Sequence, residues 1–424
     1  SESGYPIIYL EASPDNRWLA ATLQLGGNRG TTANAVIDLQ GELLWWANKE
    51  SFYGKDIFGR SYHWLPGSRF LWVDENHHVF VGDNKERRWL AAPAPIYTIV
   101  YASENIAFGT SDGLTLWRVD MESGQWEEVA NPRPAQEGYL GGYFGISRDG
   151  AYALAFQSGQ MWRIPAVMGA AAEPLPDVQT ALTILGSGMP VGPPQQLAGS
   201  PYWLIPLPFE TEEGVEMAGF VVDTRDGTVL SAEDLGLLGN FYLLSYKISP
   251  EGEWLALVVA ERETRQPTGL YLVSADDLAA EPLADAEHEV AGWHADPPAV
   301  ILRNRESGAL SLQWLPPGGG TEPIPLAGAT GLIATTPGAI FATDNADISS
   351  VARPWFARPL AGNATEIMQF DVRGNLVDSL ALPPQTANVR AAVVAGDHLL
   401  VAIESCTGEG VCISSIVDWL FKLE

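Results

Sequence analysis

Lysine is nearly missing from this chain: five lysines stand among 24 basic residues against 52 acidic ones, leaving a net charge of −28 over 424 residues. A surface of that sign repels nucleic acid and anionic membranes, so neither is an expected partner. Cysteine is almost as scarce. Cys406 and Cys412 are the only two, and they flank Thr407-Gly408-Glu409-Gly410-Val411. That spacing is not the CxxC of zinc or redox sites, and leaves either a hairpin disulfide or two reduced thiols. An oxidised pair implies an extracytoplasmic compartment, secreted, periplasmic or surface-anchored, and a start at Ser1 fits a processed, exported chain. No uninterrupted apolar run approaches the roughly 18 residues of a membrane helix, so no transmembrane segment is expected. Helical periodicity is also absent, which removes the α/β classes.

The six histidines are dispersed. His77 and His78 are adjacent, and neighbours on a strand point to opposite faces, so the two do not share a metal. Asp344, Asn345 and Asp347 make Ca²⁺ the one metal worth naming, but they lack the ligand spacing of a calcium loop; otherwise no cofactor is expected. Gly109-Thr110-Ser111-Asp112-Gly113 matches G-x-S-x-G, yet it lies between two apolar runs where a nucleophile elbow needs a strand-to-helix turn. It reads as a plain β-turn, and no catalytic residue is named.

What the chain does have is punctuation. Its 43 glycines and 30 prolines recur in a strand-turn-strand unit about every fifty residues. The clearest copies are Ser13-Pro14-Asp15-Asn16-Arg17-Trp18, Ser147-Arg148-Asp149-Gly150-Ala151-Tyr152 and Ser249-Pro250-Glu251-Gly252-Glu253-Trp254. Pro pre-sets the second turn position, while Asp and Gly supply the local hydrogen bond and the permissive backbone. Weaker relatives begin near Leu65, Ser103, Gly199, Asp296, Thr336 and Ala395, which makes nine. Runs such as Trp254-Leu255-Ala256-Leu257-Val258-Val259 are apolar enough for strands buried on both faces. Downstream of many copies sits an Asp-centred turn between two further strands, as at Asp38, Asp120, Asp223 and Asp371. Four antiparallel strands per repeat, without helices, predict an all-β fold: a single β-propeller of residues 1–424 built from four-stranded antiparallel blades. Eight blades would hold about 53 residues each and nine about 47, both near known repeat lengths. The expectation is eight, within a range of seven to nine. The 15 tryptophans are expected chiefly between blades.

These Ser-Pro-Asp-Gly turns resemble the repeats of the TolB-like and WD40-like (PD40) propellers. The resemblance spans nearly the whole chain and implies the fold; it carries no functional residue. The Gly-His and Trp-Asp pairs of true WD40 repeats are missing.

With strands a to d in each blade, the a–b and c–d turns lie at one end and the b–c and d–a connections at the other. The sequence places its irregular stretches at the second end: 26–34, 48–59, 210–217, 261–268, 344–366 and 406–412. Loops gathered at one end are where binding resides. Arg29, Lys55, Arg262, Arg265, Arg353 and Arg358 fall there, with Trp355 and Phe356 beside two of the arginines, residue types that anchor interfaces. The reading is an extracytoplasmic, non-catalytic, monomeric propeller that binds a protein, peptide or envelope component. The alternative is a propeller glycoside hydrolase or lyase with carboxylates at a central channel.

Overall fold

The computed structural model describes residues 7–24, 31–39, 43–50, 62–74, 76–83, 86–111, 115–129, 143–157, 160–175, 194–211, 214–230, 233–237, 241–261, 264, 266–316, 322–345, 361–382, 387–406 and 412–421. They form 36 strands in nine four-stranded antiparallel sheets. This is an all-β propeller with nine blades, the upper end of the expected range. The count equals the number of turn units in the sequence: in eight blades the unit joins the first and second strands of the sheet, and in the ninth it joins the second and third.

Blade 1 is β1 (Ile7–Ala12), β2 (Trp18–Gln24), β3 (Thr31–Asp38) and β4 (Leu43–Glu50). Blade 2 is β5 (Tyr62–Leu65), β6 (Arg69–Val73), β7 (Val79–Gly82) and β8 (Arg87–Leu90). Blade 3 follows with β9 (Thr98–Ala102), β10 (Ile106–Thr110), β11 (Leu116–Asp120) and β12 (Trp126–Glu128), and blade 4 with β13 (Tyr143–Ile146), β14 (Tyr152–Gln157), β15 (Gln160–Pro165) and β16 (Glu173–Pro174). In blade 5 come β17 (Gln195–Gln196), β18 (Tyr202–Thr211), β19 (Gly214–Asp223) and β20 (Val229–Leu230). Blade 6 holds β21 (Phe241–Ile248), β22 (Trp254–Glu261), β23 (Pro267–Ser274) and β24 (Ala280–Ala284). Blade 7 holds β25 (His288–His294), β26 (Ala299–Asn304), β27 (Leu310–Trp314) and β28 (Ile324–Pro325). Blade 8 skips a strand: β29 (Gly331–Thr336) and β30 (Ala339–Thr343) pair on to β32 (Glu366–Asp371) and β33 (Leu376–Ala381). The skipped β31 (Ala361–Ala364) joins β34 (Ala387–Ala395), β35 (His398–Cys406) and β36 (Cys412–Leu420) as blade 9.

Two compact units contain these blades, Ser1–Glu50 with Leu283–Glu424, and Ser51–Pro282. In the first, β1 and β2 of blade 1 pack on blade 9 through Ile7, Leu10 and Leu19 against Ala391, Ala395 and Leu400. Blade 8 packs on blade 9 through Phe341 and Ile367 against Val389, Val401 and Trp419. In the second unit the seam of blades 2 and 3 buries Leu65, Leu71, Val79, Ile99, Ala107 and Val119, and that of blades 5 and 6 buries Leu204, Val221, Leu255 and Leu257.

The turn chemistry is that of the sequence. Ser13, Ser147 and Ser249 are buried, and the Oγ of each accepts the backbone N–H five residues on, from Trp18 (3.0 Å), Tyr152 (3.0 Å) and Trp254 (3.1 Å). The fourth turn residue has a left-handed backbone, φ 54° at Asn16, 69° at Gly150 and 72° at Gly252, which explains why Gly or Asn stands there. In the c–d turns Asp120 accepts from the N–H of Glu122 (2.9 Å) and Ser123 (2.7 Å). The Ser123 backbone bond leads the effects that hold its carboxyl below the usual range.

The connections differ from the sequence expectation. The nine turn units span two to five residues, but most b–c connections are equally tight. Residues 210–217 are no loop: β18 and β19 pair as far as Thr211↔Gly214, since polar side chains on an outward strand do not end a ladder. The one long b–c connection runs from Asp344 to Thr365 and contains β31, which pairs with β34 at Ala361↔Val389 and Ala364↔Ala387. Asp344 closes its base by accepting from the N–H groups of Thr365 (3.0 Å) and Glu366 (3.2 Å) and from the Thr365 hydroxyl. Burial opposes ionisation of that carboxyl, yet the bonds from Thr365, Glu366 and Thr343 outweigh it and its pKa is lowered.

Candidate functional site

The sequence-predicted site falls outside the described residues in full: Arg29, Lys55, Arg262, Arg265, Arg353, Trp355, Phe356 and Arg358. So does Asp347, whereas Asp344 is engaged in closing the β31 connection and Asn345 Nδ2 donates to Asn363 O at 3.5 Å. Among the described residues no group of three His, Cys, Asp or Glu side chains is placed to hold a metal, and no helix is long and apolar enough to cross a membrane. Cys406 and Cys412 are direct partners in the β35–β36 register.

A groove the sequence reading missed lies at the a–b and c–d end of blades 2 and 3. It encloses about 580 Å³. Val81 and Met121, both buried, give it an apolar base. Blade 2 contributes Arg69, which opens β6, and Arg87 and Arg88, which open β8 after the c–d turn of Asp83 and Glu86. Blade 3 contributes Glu104 and Asn105 from its a–b turn and Glu122 from its c–d turn.

Local folding fixes these positions. The c–d turn of blade 2 closes with Asp83 N–H on Glu86 O (3.0 Å) and Glu86 N–H on Asp83 Oδ1 (2.8 Å). It folds so tightly over Gly82 that a Cβ there would stand 2.1 Å from the Glu86 carbonyl oxygen. Only glycine fits, and the reversal sets Arg87 and Arg88 side by side on opposite faces of β8. Arg88 Nη1 donates to the Glu122 carbonyl at 2.6 Å, which ties blade 2 to the blade 3 turn. The Met121 N–H donates to Asn105 O at 2.8 Å, locking the two blade 3 turns together.

Arg87 lies 5.8 Å from the Trp72 ring centroid, at the end of an aromatic ladder across one face of blade 2. Trp72 stacks on Phe80 (5.3 Å, 18°) and meets Phe70 at 4.7 Å. Trp89, on the same face of β8 as Arg87, is 56% exposed and 5.2 Å from the exposed His78. Among the described residues Arg69, Arg87 and Arg88 form no ion pair, whereas Arg118, Arg225, Arg303 and Arg390 each have a carboxylate. Five other described arginines, Arg17, Arg148, Arg163, Arg305 and Arg373, likewise have no ion pair among the described residues. The sequence signal was there in Lys85-Glu86-Arg87-Arg88-Trp89, a dense run of basic residues, but it sits after a short turn at the end taken as structural.

No known protein family and no curated protein matches the sequence. Among solved structures the chain is similar over 98% of its length to Porphyromonas gingivalis dipeptidyl peptidase 4, with a TM-score of 0.53 and 9% identity. It spans 58% of that chain. It also resembles a eukaryotic initiation factor (TM-score 0.48, 12% identity, 93% of this chain and 97% of that one). A third likeness is the N-terminal domain of Nup159 (TM-score 0.34, 13% identity, 73% and 89%). At such identities the likeness establishes a propeller fold related to those of other propeller proteins.

Proposed function

We propose that this chain is a non-catalytic binding propeller of the PD40-like repeat type that captures a protein, peptide or envelope component. The observation that carries the reading is the groove of blades 2 and 3, where the exposed Arg69, Arg87 and Arg88 line one side and the exposed Trp89 follows Arg88 on β8, residue types that dominate interface energetics. The connections bearing Arg353, Trp355, Phe356 and Arg358 form a second candidate surface. The test is capture of the partner from an envelope extract, quantified against the unmodified protein. Arg69→Ala with Arg88→Ala is expected to weaken capture about tenfold or more, the loss of a single hot spot. Trp355→Ala with Arg358→Ala probes the connection side. Full capture by both double variants rejects the reading.

An extracytoplasmic location belongs to the same proposal and rests on the register that sets Cys406 opposite Cys412. Cross-strand neighbours bring Cβ atoms to about 4.5–5.5 Å, from which a disulfide closes with a small adjustment. Neither cysteine of the denatured protein should react with an alkylating agent until it is reduced, and both should react afterwards. Alkylation without reductant removes this argument for compartment.

A further inference from the structure

Blade 9 has no d strand among the described residues. Its turn unit at Ala395-Gly396-Asp397 makes β34 the a strand, β35 the b strand and β36 the c strand, while β31 lies on the far side of β34. The place that a d strand fills in the other eight blades is therefore open along β36. Burial follows the same division. The c strands β11, β27 and β32 are mostly buried, whereas Trp419 alone is buried among the described side chains of β36, and Ile413 and Leu420 are 55% and 60% exposed.

The open edge is long, regular and unguarded. β36 pairs with β35 without a bulge over its nine residues, from His398↔Leu420 to Cys406↔Cys412. Phe421 N–H donates to Asp397 O at 3.0 Å, and alternation along the ladder then turns the N–H and C=O of Ser414, Ile416, Asp418 and Leu420 away from β35. Sheet edges are ordinarily blunted by charge, proline or shortness. The d strands of the other blades comply, since all but the two-residue β20 carry a charged residue or a proline. Cys412–Val417 carries neither, and Asp418, the one charged residue of β36, is held by His398 Nδ1 at 2.8 Å. β36 thus has the composition of a covered strand.

A row of outward N–H and C=O groups at strand spacing is matched by another extended backbone, not by a helix or a compact small molecule. Charge then narrows its sequence. The exposed Asp397 and Asp418 stand at one end of the edge, and the chain as a whole carries −28, so a second copy is repelled and a basic segment is attracted. Resting on the binding reading above, we infer that β36 takes an extended, basic segment of a partner protein as the missing d strand. The segment lies antiparallel, with apolar residues opposite Ile416 and Leu420 and Lys or Arg opposite Asp418.

The probe is the peptide most enriched when a displayed random-peptide library is selected on the full chain. It is expected to be basic, and to bind Ser414→Pro at least tenfold more weakly, because proline removes an outward N–H and leaves the bonds to β35 in place. A second measurement does not depend on how that variant folds. Of two copies of the peptide, each N-methylated at one alternate set of residues, one should lose binding to the parent and the other keep it, since an added strand turns only half its amides toward β36. Hydrogen exchange over 412–420 should slow when the peptide is added. No enrichment, full binding by Ser414→Pro, or the same result from both methylated copies overturns the inference. A dimer of the free chain that Ser414→Pro dissociates, or peptide binding seen only after Ser1–Pro6 is deleted, would make this chain its own occupant and overturn it as well. Each of these outcomes leaves the binding reading to its separate test, capture from the extract by the Arg69/Arg88 and Trp355/Arg358 variants.

Discussion

Replacing Arg118 by alanine is expected to destabilise the chain by about 3–5 kcal/mol, the cost of breaking a buried ion pair by removing one partner. Arg118 is 1% exposed, although it stands mid-strand in β11 between Trp117 and Val119. Its Nε donates to Glu127 Oε1 at 2.5 Å, and its other nitrogens donate to the carbonyls of Pro165 and Ala170, the latter at 2.8 Å. Glu127 also accepts the Gly169 N–H at 2.8 Å. One guanidinium thus joins the outer strands of blade 3 to the c–d turn of blade 4. Alanine leaves two carbonyls without a donor, an unpaired carboxylate and a cavity. Because Glu127 is 25% exposed on its side chain, water recovers part of the loss, which favours the lower end of the range. Arg118→Met should cost less, since it fills the space and lacks only the polar bonds. Chemical denaturation with a double-mutant cycle through Glu127→Gln separates these contributions. A loss under about 1 kcal/mol for Arg118→Ala would show that the seam holds without the guanidinium.

Trp203→Ala should cost about as much, 3–5 kcal/mol by the usual range for a buried tryptophan. Trp203 is fully buried on β18 and packs with Leu154, Met161, Leu175 and Val222 between blades 4 and 5. Its Nε1 donates to the Tyr152 hydroxyl at 3.2 Å. Across the seam the chain has Gly145, where a Cβ would lie 2.0 Å from the Pro194 carbonyl oxygen and 2.8 Å from Trp203 Cζ3. The indole therefore lies against bare backbone. Gly145→Ala should destabilise as well, and Trp203→Ala should not rescue it, because the nearer obstacle is a main-chain oxygen that cannot rotate away. Trp203→Phe keeps most of the apolar contact and should fall between parent and alanine. Melting curves of the parent, the three single variants and the Gly145→Ala/Trp203→Ala double variant check the order, and rescue of Gly145→Ala by Trp203→Ala would show that the ring, not the carbonyl, sets the limit.

The fold was largely legible because blade-forming turns are local. Ser249-Pro250-Glu251-Gly252 fixes a reversal with its own side chains, and Trp254–Glu261 announces burial by its apolar run alone. The features that escaped depend on distant partners. Nothing in Ala361-Gly362-Asn363-Ala364 marks a strand, since its ladder is supplied by β34. Arg118 sits in an alternating Leu-Trp-Arg-Val-Asp pattern that reads as half exposed, and only the neighbouring blade buries it. The groove escaped for a related reason: Arg69 and Arg88 become neighbours of Glu104 and Glu122 through the packing of two blades. The candidate residues chosen from sequence lie outside the described residues, so the site now argued owes nothing to them.

Repeat architectures usually behave as a row of near-independent modules whose stabilities add between nearest neighbours. Lending β31 across the boundary breaks that rule at one end of this row. The connection that looks dispensable in blade 8 is the source of a structural part of blade 9, so shortening it would injure a module it does not belong to. Unravelling there should be shared, with the final two sheets released as one cooperative block rather than in turn.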